Sequence, residues 1–258
     1  MGNPLGIVFN PVSLCSALSG KNLTKDGCLE RPDGTKHLMC HGNIKAENPT
    51  DLIKHLHDVR SAFLQQVNKS KLLIITWGTS QVWKHKEHGI IVANCHKEPS
   101  ESFESAFLSQ EEIVKTWKRE LFKLQETNPE LQVLVTVSPV RYTRGGLSEN
   151  TRSKSILHLA ARELEKKVSN VTYFPSYEMV IDELRDHRFF KEDLIHPSSA
   201  ATQHVYGRLL GSIASKDTIA IANQIAHLNR QLDHRYSNED DAEVKRKEVM
   251  RQIKEILG

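Results

Sequence analysis

Leu72-Leu73-Ile74-Ile75-Thr76 is a continuous apolar run, and it ends in Trp77-Gly78. Such a run is the pattern of a strand buried on both faces, which requires helices above and below and so commits the chain to a layered α/β architecture. The flanking segments agree. Asn10-Pro11 followed by Val12, Leu14, Ala17 and Leu18 reads as an N-cap, a proline at the first helical position and an apolar stripe, predicting a short helix. Residues from Gly20 to Pro49 show no periodicity and predict a long irregular excursion. Thr50 is expected to cap a helix to about Gln66, with Leu52, Ile53, Leu56, Val59 and Phe63 on one face. Ser109-x-x-Glu112 is a capping box that opens a helix to about Glu126, and Asn128-Pro129 stops it before a strand from Leu131 to Val137. A helix of roughly Asn150 to Lys167 precedes a strand from Val171 to Phe174. The β-α-β-α-β order predicts a mostly parallel sheet with helices on both faces.

At 258 residues the chain can bury one large core. The expected organisation is an α/β domain over 1–215 and a helical extension over 216–258 packed on it, with Ile219, Ile221, Ile225 and Leu228, then Val244, Val249, Ile253 and Leu257, as core-facing stripes. The charged run Asn238-Glu239-Asp240-Asp241 reads as a solvated connection. The 35 basic and 32 acidic residues leave a formal charge of +3, too balanced and too scattered for nucleic acid. No apolar run approaches the roughly 18 residues of a membrane span, and Met1-Gly2-Asn3-Pro4 carries no export signal. Four cysteines without Cys-x-x-Cys spacing fit reduced thiols in a cytoplasm. No Walker loop or Gly-x-Gly-x-x-Gly occurs, Gly145-Gly146 reads as a turn, and no cofactor is expected.

In open α/β sheets ligands bind beyond the carboxyl ends of the strands. Trp77 to Gln81 and Ser138 to Arg141 fall there, and Asp193-Leu194-Ile195-His196-Pro197-Ser198 follows the third strand. An Asp three residues before a His can accept the Nδ1 hydrogen and leave Nε2 to take a proton. Taken alone, Asp193 reads as a helix cap and His196 as a surface residue. A metal centre is the rival chemistry, from His37, Cys40, His41, His85, His88, Cys95 and His96. The spacing argues against it: no His-Glu-x-x-His occurs, and adjacent Cys-His pairs rarely both ligate one ion. His41 and His96 are expected to bond within a pocket wall, and His85 and His88 to sit on an exposed turn.

Six segments taken together carry a resemblance. They are Gly6 to Leu14, Thr76-Trp77-Gly78-Thr79, Val92-Ala93-Asn94-Cys95-His96-Lys97-x-Pro99, Thr136 to Arg141, Tyr173 to Glu178 and Asp193 to Ser198. In this order they resemble the GSCFA-domain family, which looks like a branch of the SGNH/GDSL hydrolase superfamily. The resemblance implies a flavodoxin-like sheet and a serine esterase or acyltransferase acting on a small-molecule or glycan ester. Carried over by position, Asp193 orients the ring and His196 is the general base. Gly6 offers an oxyanion N–H, Gly78 and Thr79 form the third-block turn, and Asn94 and His96 contact substrate or shape the pocket.

Two departures from the family pattern follow. The Gly-Ser-Cys-Phe-Ala motif, whose serine is the expected nucleophile, would lie upstream of Gly2, and so would the first strand of the sheet. The chain is therefore expected to carry a base without its nucleophile. Secondly, Ser80 stands where the superfamily has an asparagine oxyanion donor. Ser13, in a predicted helix, and Ser138, before a proline, do not sit on the sharp turn that presents a nucleophile. The alternative function is a catalytically silent fragment or noncatalytic binding module of the same family.

Overall fold

A computed structural model describes residues 2–232 and 239–257. The chain divides into two compact units, Met1–Ser198 and Ser199–Gly258.

In the first unit, α1 (Pro11–Ser19) starts where Asn10 Oδ1 accepts the Ser13 N–H at 2.8 Å and stops at Gly20, whose φ is +69°. The excursion that follows is not shapeless. It holds a small antiparallel sheet of β1 (Cys28–Leu29), β2 (Thr35–His37) and β3 (Lys45–Ala46). Strands of two or three residues are too short to show an alternation, so the sequence pattern hid them. The next helix, α2 (Pro49–Val67), is capped by Asn48 rather than Thr50, because Pro49 occupies the first helical position and Asn48 Oδ1 accepts the Asp51 N–H at 3.0 Å.

After β4 (Leu72–Trp77) comes a second antiparallel sheet that the expected alternation did not contain, made of β5 (Gln81–His85), β6 (Ile91–Val92) and β7 (Phe103–Phe107) in the order β6-β5-β7. The capping box opens α3 (Gln110–Thr127) with both reciprocal bonds, 3.1 Å to Ser109 Oγ and 2.7 Å to Glu112 Oε2. Then follow β8 (Gln132–Val137), α4 (Leu147–Lys167), β9 (Val171–Phe174) and the single turn α5 (Ser176–Glu178).

The main sheet is parallel, in the order β4-β8-β9, with Leu72 opposite Gln132 and Val133 opposite Val171. The fold class is α/β, a parallel sheet flanked by helices. Val133, Val135 and Val137 of β8 pack in one core with Ile113, Trp117 and Leu121 of α3 and Leu157, Ala161 and Leu164 of α4. Trp77 and Trp117 meet at 5.9 Å between ring centroids, and the Trp117 Nε1–H donates to Pro11 O at 3.1 Å, fixing α1 against α3. β4 departs from the expectation of burial on both faces: it is an edge strand, and Ile74 at its middle is 46 % exposed.

The second unit consists of α6 (Ser199–Ile213), α7 (Lys216–Leu232) and α8 (Glu239–Leu257). α7 packs against α8, and Leu228 and Val249 are buried. Ile221 and Val244 of the expected core stripes are exposed, because a pair of packed helices buries only the seam between them. Asn238 of the acidic run lies outside the described residues, and Glu239 opens α8. Among the described residues no helix is long and apolar enough to cross a membrane.

Candidate functional site

The loop from Lys191 to Ser198 is built around the Asp193 side chain. Asp193 Oδ1 accepts the backbone N–H of Ile195 and of His196, both at 2.9 Å, which curls the chain and places Leu194 at a φ of +54°. The same turn delivers the imidazole to the other carboxylate oxygen, with His196 Nδ1 2.7 Å from Asp193 Oδ2. The proton is assigned to Nδ1 because the carboxylate can only accept. The His196 and Ile195 amides, followed by the ring itself, hold the Asp193 carboxyl well below the usual carboxylate range. Both side chains are about half exposed, at 43 % for Asp193 and 52 % for His196.

The loop is attached at both ends. The Lys191 N–H donates to His196 O at 2.8 Å, the Ser198 N–H donates to Phe189 O at 2.8 Å, and Phe190 bridges Pro197. Arg141, three residues beyond Ser138 at the end of β8, donates from Nη1 to Leu194 O at 3.0 Å and lies 4.9 Å over the Phe190 ring. The Asp193–His196 pair is therefore tied to the carboxyl end of the parallel sheet. Thr136 Oγ1 donates to Phe174 O at 2.7 Å and Ser176 Oγ to Val137 O at 3.0 Å, which locks the ends of β8 and β9 together.

The Gly78-Thr79-Ser80 turn lies at the same ends of the strands. The Gly78 and Thr79 N–H groups donate to Phe9 O at 2.8 and 3.3 Å, and a Cβ on Gly78 would come within 3.1 Å of Phe9. On the other flank α4 grips the turn. Ser153 Oγ accepts the Ser80 N–H at 2.8 Å and lies 3.0 Å from Thr79 Oγ1, while Ser80 Oγ donates to Ser153 O at 3.1 Å. Ser80 is wholly buried, with its N–H and hydroxyl both bonded to Ser153 of α4.

Beside Ser153, Lys154 joins the two strand ends. Its Nζ donates to Gly78 O at 2.5 Å and to Ser138 O at 2.7 Å, and the residue is 2 % exposed. Burial lowers its pKa to about 8. Sequence reading passed over Lys154, although a signal existed. It falls on the apolar stripe Asn150, Lys154, Leu157, Ala161 and Leu164, where a charged residue requires a buried partner.

The other candidate residues serve the loops. Gly6, at a φ of +73°, donates its N–H to Asn3 O at 2.8 Å inside a turn, and a Cβ there would stand 2.4 Å from His41 Cβ. Asn94 Oδ1 accepts the His96 N–H at 2.8 Å, and the His96 Nε2–H donates to His37 O at 2.8 Å. His96 is buried, and burial lowers its pKa, so it stands as a neutral strut between the 94–97 loop and β2. His41 Nδ1 accepts the Asn43 N–H at 3.3 Å. His85 is not on an exposed turn: it is buried edge-on against Phe103, 5.2 Å between ring centroids, because it faces inward from β5. Among the described residues no three His, Cys, Asp or Glu side chains gather as a metal-binding group.

Of the serines within the chain, Ser13 is buried in α1 against Asn10, and Ser138 Oγ accepts the Val140 N–H at 3.2 Å. The structure thus brings Asp193 to His196 directly and Gly78-Thr79 to the same sheet edge, and it places Gly6, Asn94 and His96 in internal turns.

No solved structure and no curated protein matches this sequence. A family model described as the GSCFA family matches residues 1–209. That match takes in the Gly78 turn, the Ser138 strand end and the Asp193–His196 loop, and the chain belongs to the GSCFA family.

Proposed function

We propose that this protein carries the acid and base half of an SGNH-like serine hydrolase or acyltransferase acting on a small-molecule or glycan ester. The observation that carries the reading is the 2.7 Å contact between His196 Nδ1 and Asp193 Oδ2, with the other carboxylate oxygen saturated by two amides. Asp193 fixes the tautomer and the ring plane, so Nε2 is the nitrogen that takes a proton. The nucleophile in this reading is a serine supplied from upstream of Gly2. As its Oγ attacks the ester carbonyl carbon, the hydroxyl proton passes to His196 Nε2. The tetrahedral intermediate collapses by expelling the alcohol, which takes that proton, and water or an acceptor alcohol then repeats the sequence on the acyl-enzyme. The oxyanion donor in this reading is the Thr79 N–H, whose 3.3 Å bond to Phe9 O is the weaker of the two in the turn.

In-frame DNA upstream of the Met1 codon that encodes Gly-Ser-Cys-Phe-Ala supports this reading. The extended protein is then assayed on p-nitrophenyl acetate beside its His196→Ala variant, with an expected loss of roughly 10²- to 10⁴-fold. Equal rates refute the assigned base.

The engaged amides of Gly6 and Ser80 favour a second reading, a noncatalytic binding module. Saturable binding of an acylated glycan by an extended protein that never turns over p-nitrophenyl acetate would select it.

A further inference from the structure

We infer that Lys154 is a positioning residue for the oxyanion: its buried ammonium, bonded to Gly78 O, polarises the Gly78–Thr79 peptide and makes the Thr79 N–H a strong donor at the rim. The Gly78 C=O and the Thr79 N–H belong to one trans peptide unit, so they point in opposite directions. The carbonyl faces α4 and accepts from Lys154 Nζ at 2.5 Å. The N–H faces the other side, toward Phe9 O at 3.3 Å, and Phe9 itself is 54 % exposed. An ammonium on the carbonyl oxygen draws electron density from the conjugated amide nitrogen, which strengthens the N–H as a donor. The second carbonyl on Lys154 Nζ, at 2.7 Å, is that of Ser138. Its peptide unit ends in Pro139, which has no N–H, so this bond anchors the ammonium without creating another donor.

A tie between two carbonyls needs no charge. A side-chain amide offers two N–H donors and costs far less to bury than an ammonium without a counter-ion. Lys154 is nevertheless 2 % exposed, and burial alone accounts for its lowered pKa, with no carboxylate offsetting it. A fixed cation behind a strand-end turn suits a negative charge that develops in front of it, where little water screens the field.

The groups on the facing elements leave that field in place. His158, one turn further along α4, has its pKa lowered by burial, and Tyr173 of β9 and Glu178 of α5 hold its ring. Tyr177 meets the same ring at 4.8 Å, Asp182 acts on His158 through space, and Arg141 acts on Tyr177. Burial raises the pKa of both phenols, so neither they nor the imidazole change charge where Lys154 does. The oxyanion role rests on the proposed function; the polarised peptide rests on the geometry alone.

The test uses the chain as it stands, labelled with ¹³C and ¹⁵N. Lys154 ¹³Cε, Gly78 ¹³C′ and Thr79 ¹⁵N are followed in carbon-detected spectra as the pH is raised from neutral. The expected result is one shared midpoint at about 8, absent from Gly78 and Thr79 in Lys154→Gln, with Ser109 and Glu112 of the capping box unmoved. A Lys154 titration that Gly78 and Thr79 do not follow overturns the inference. So does a Lys154 midpoint at the ordinary 10.5, which would place the amine in water. Both are read from the parent, so they stand even where far-ultraviolet dichroism shows that Lys154→Gln has not folded. The catalytic arm assays the extended protein on p-nitrophenyl acetate. At neutral pH kcat of Lys154→Gln is expected about tenfold below the parent with KM unchanged, part of the roughly 10²- to 10³-fold that a whole oxyanion donor contributes. The ratio narrows toward one as the parent amine loses its proton. A ratio that holds at every pH marks a packing defect and overturns the oxyanion role. An extended protein that never turns over the ester refutes the proposed function instead, and the shared midpoint still decides whether the peptide is polarised.

Discussion

Lys154 gives the sharpest test of the packing beneath the rim. Its ammonium is 2 % exposed and bonds two carbonyls, Gly78 O and Ser138 O, and burial alone lowers its pKa from the usual 10.5 to about 8. Between those values the unfolded chain holds a proton that the folded protein has released. Stability contributed by this group therefore rises with pH across that window and is lowest below pH 8. At about 1.4 kcal/mol per tenfold, the gap amounts to about 3 kcal/mol. Lys154→Met removes the titration and leaves two carbonyls unbonded, a pH-independent loss of about 1–3 kcal/mol for each. Cys15 and Cys40, whose thiols burial pushes up to about 12, act in the opposite direction above pH 9 but are common to both proteins and cancel in the difference. The assay is urea unfolding followed by tryptophan fluorescence, since Trp77, Trp83 and Trp117 all lie in the first unit. The unfolding free energy of the parent minus that of Lys154→Met should grow by about 3 kcal/mol between pH 7.5 and 10.5, with equal denaturant slopes. A difference that stays flat with pH would show that the amine reaches water and refute the reasoning.

Three further outcomes follow from the same structure. Gly6→Ala puts a Cβ 2.4 Å from His41 Cβ at a φ of +73°, and a loss of about 1–3 kcal/mol is expected in urea unfolding, against a smaller loss of about 1 kcal/mol for Gly89→Ala, which meets open space and carries only the strain of its φ of +64°. Ser109→Ala removes half of the capping box of α3 and should cost about 1 kcal/mol, read as a lower Tm. Asp193→Ala removes both Oδ1 bonds and the ring partner, and at alkaline pH, where the ring is neutral, the His196 imidazole resonances should lose their fixed tautomer in ¹⁵N spectra.

Much of the fold was legible because its signals are local. The Ser109 capping box, the Asn10-Pro11 start and the Leu72–Thr76 run each write their structure within a few residues, and the alternation of strands and helices then leaves few topologies. The Asp193–His196 contact was legible for the same reason, since a spacing of three residues closes within one turn. The sheets β1-β2-β3 and β6-β5-β7 were not, because their short strands are held by partners distant in sequence.

What the sequence by itself determined is the main helices and the three strands of the parallel sheet, the family and the chemical kind of the Asp193–His196 pair. Tertiary structure alone decided which donors remain. It turned Ser80 into α4, closed Gly6 over His41, buried Lys154 between two strand ends and left β4 with an open edge. Each of these depends on a partner far along the chain, and no local pattern records which backbone groups are already bonded when the elements meet.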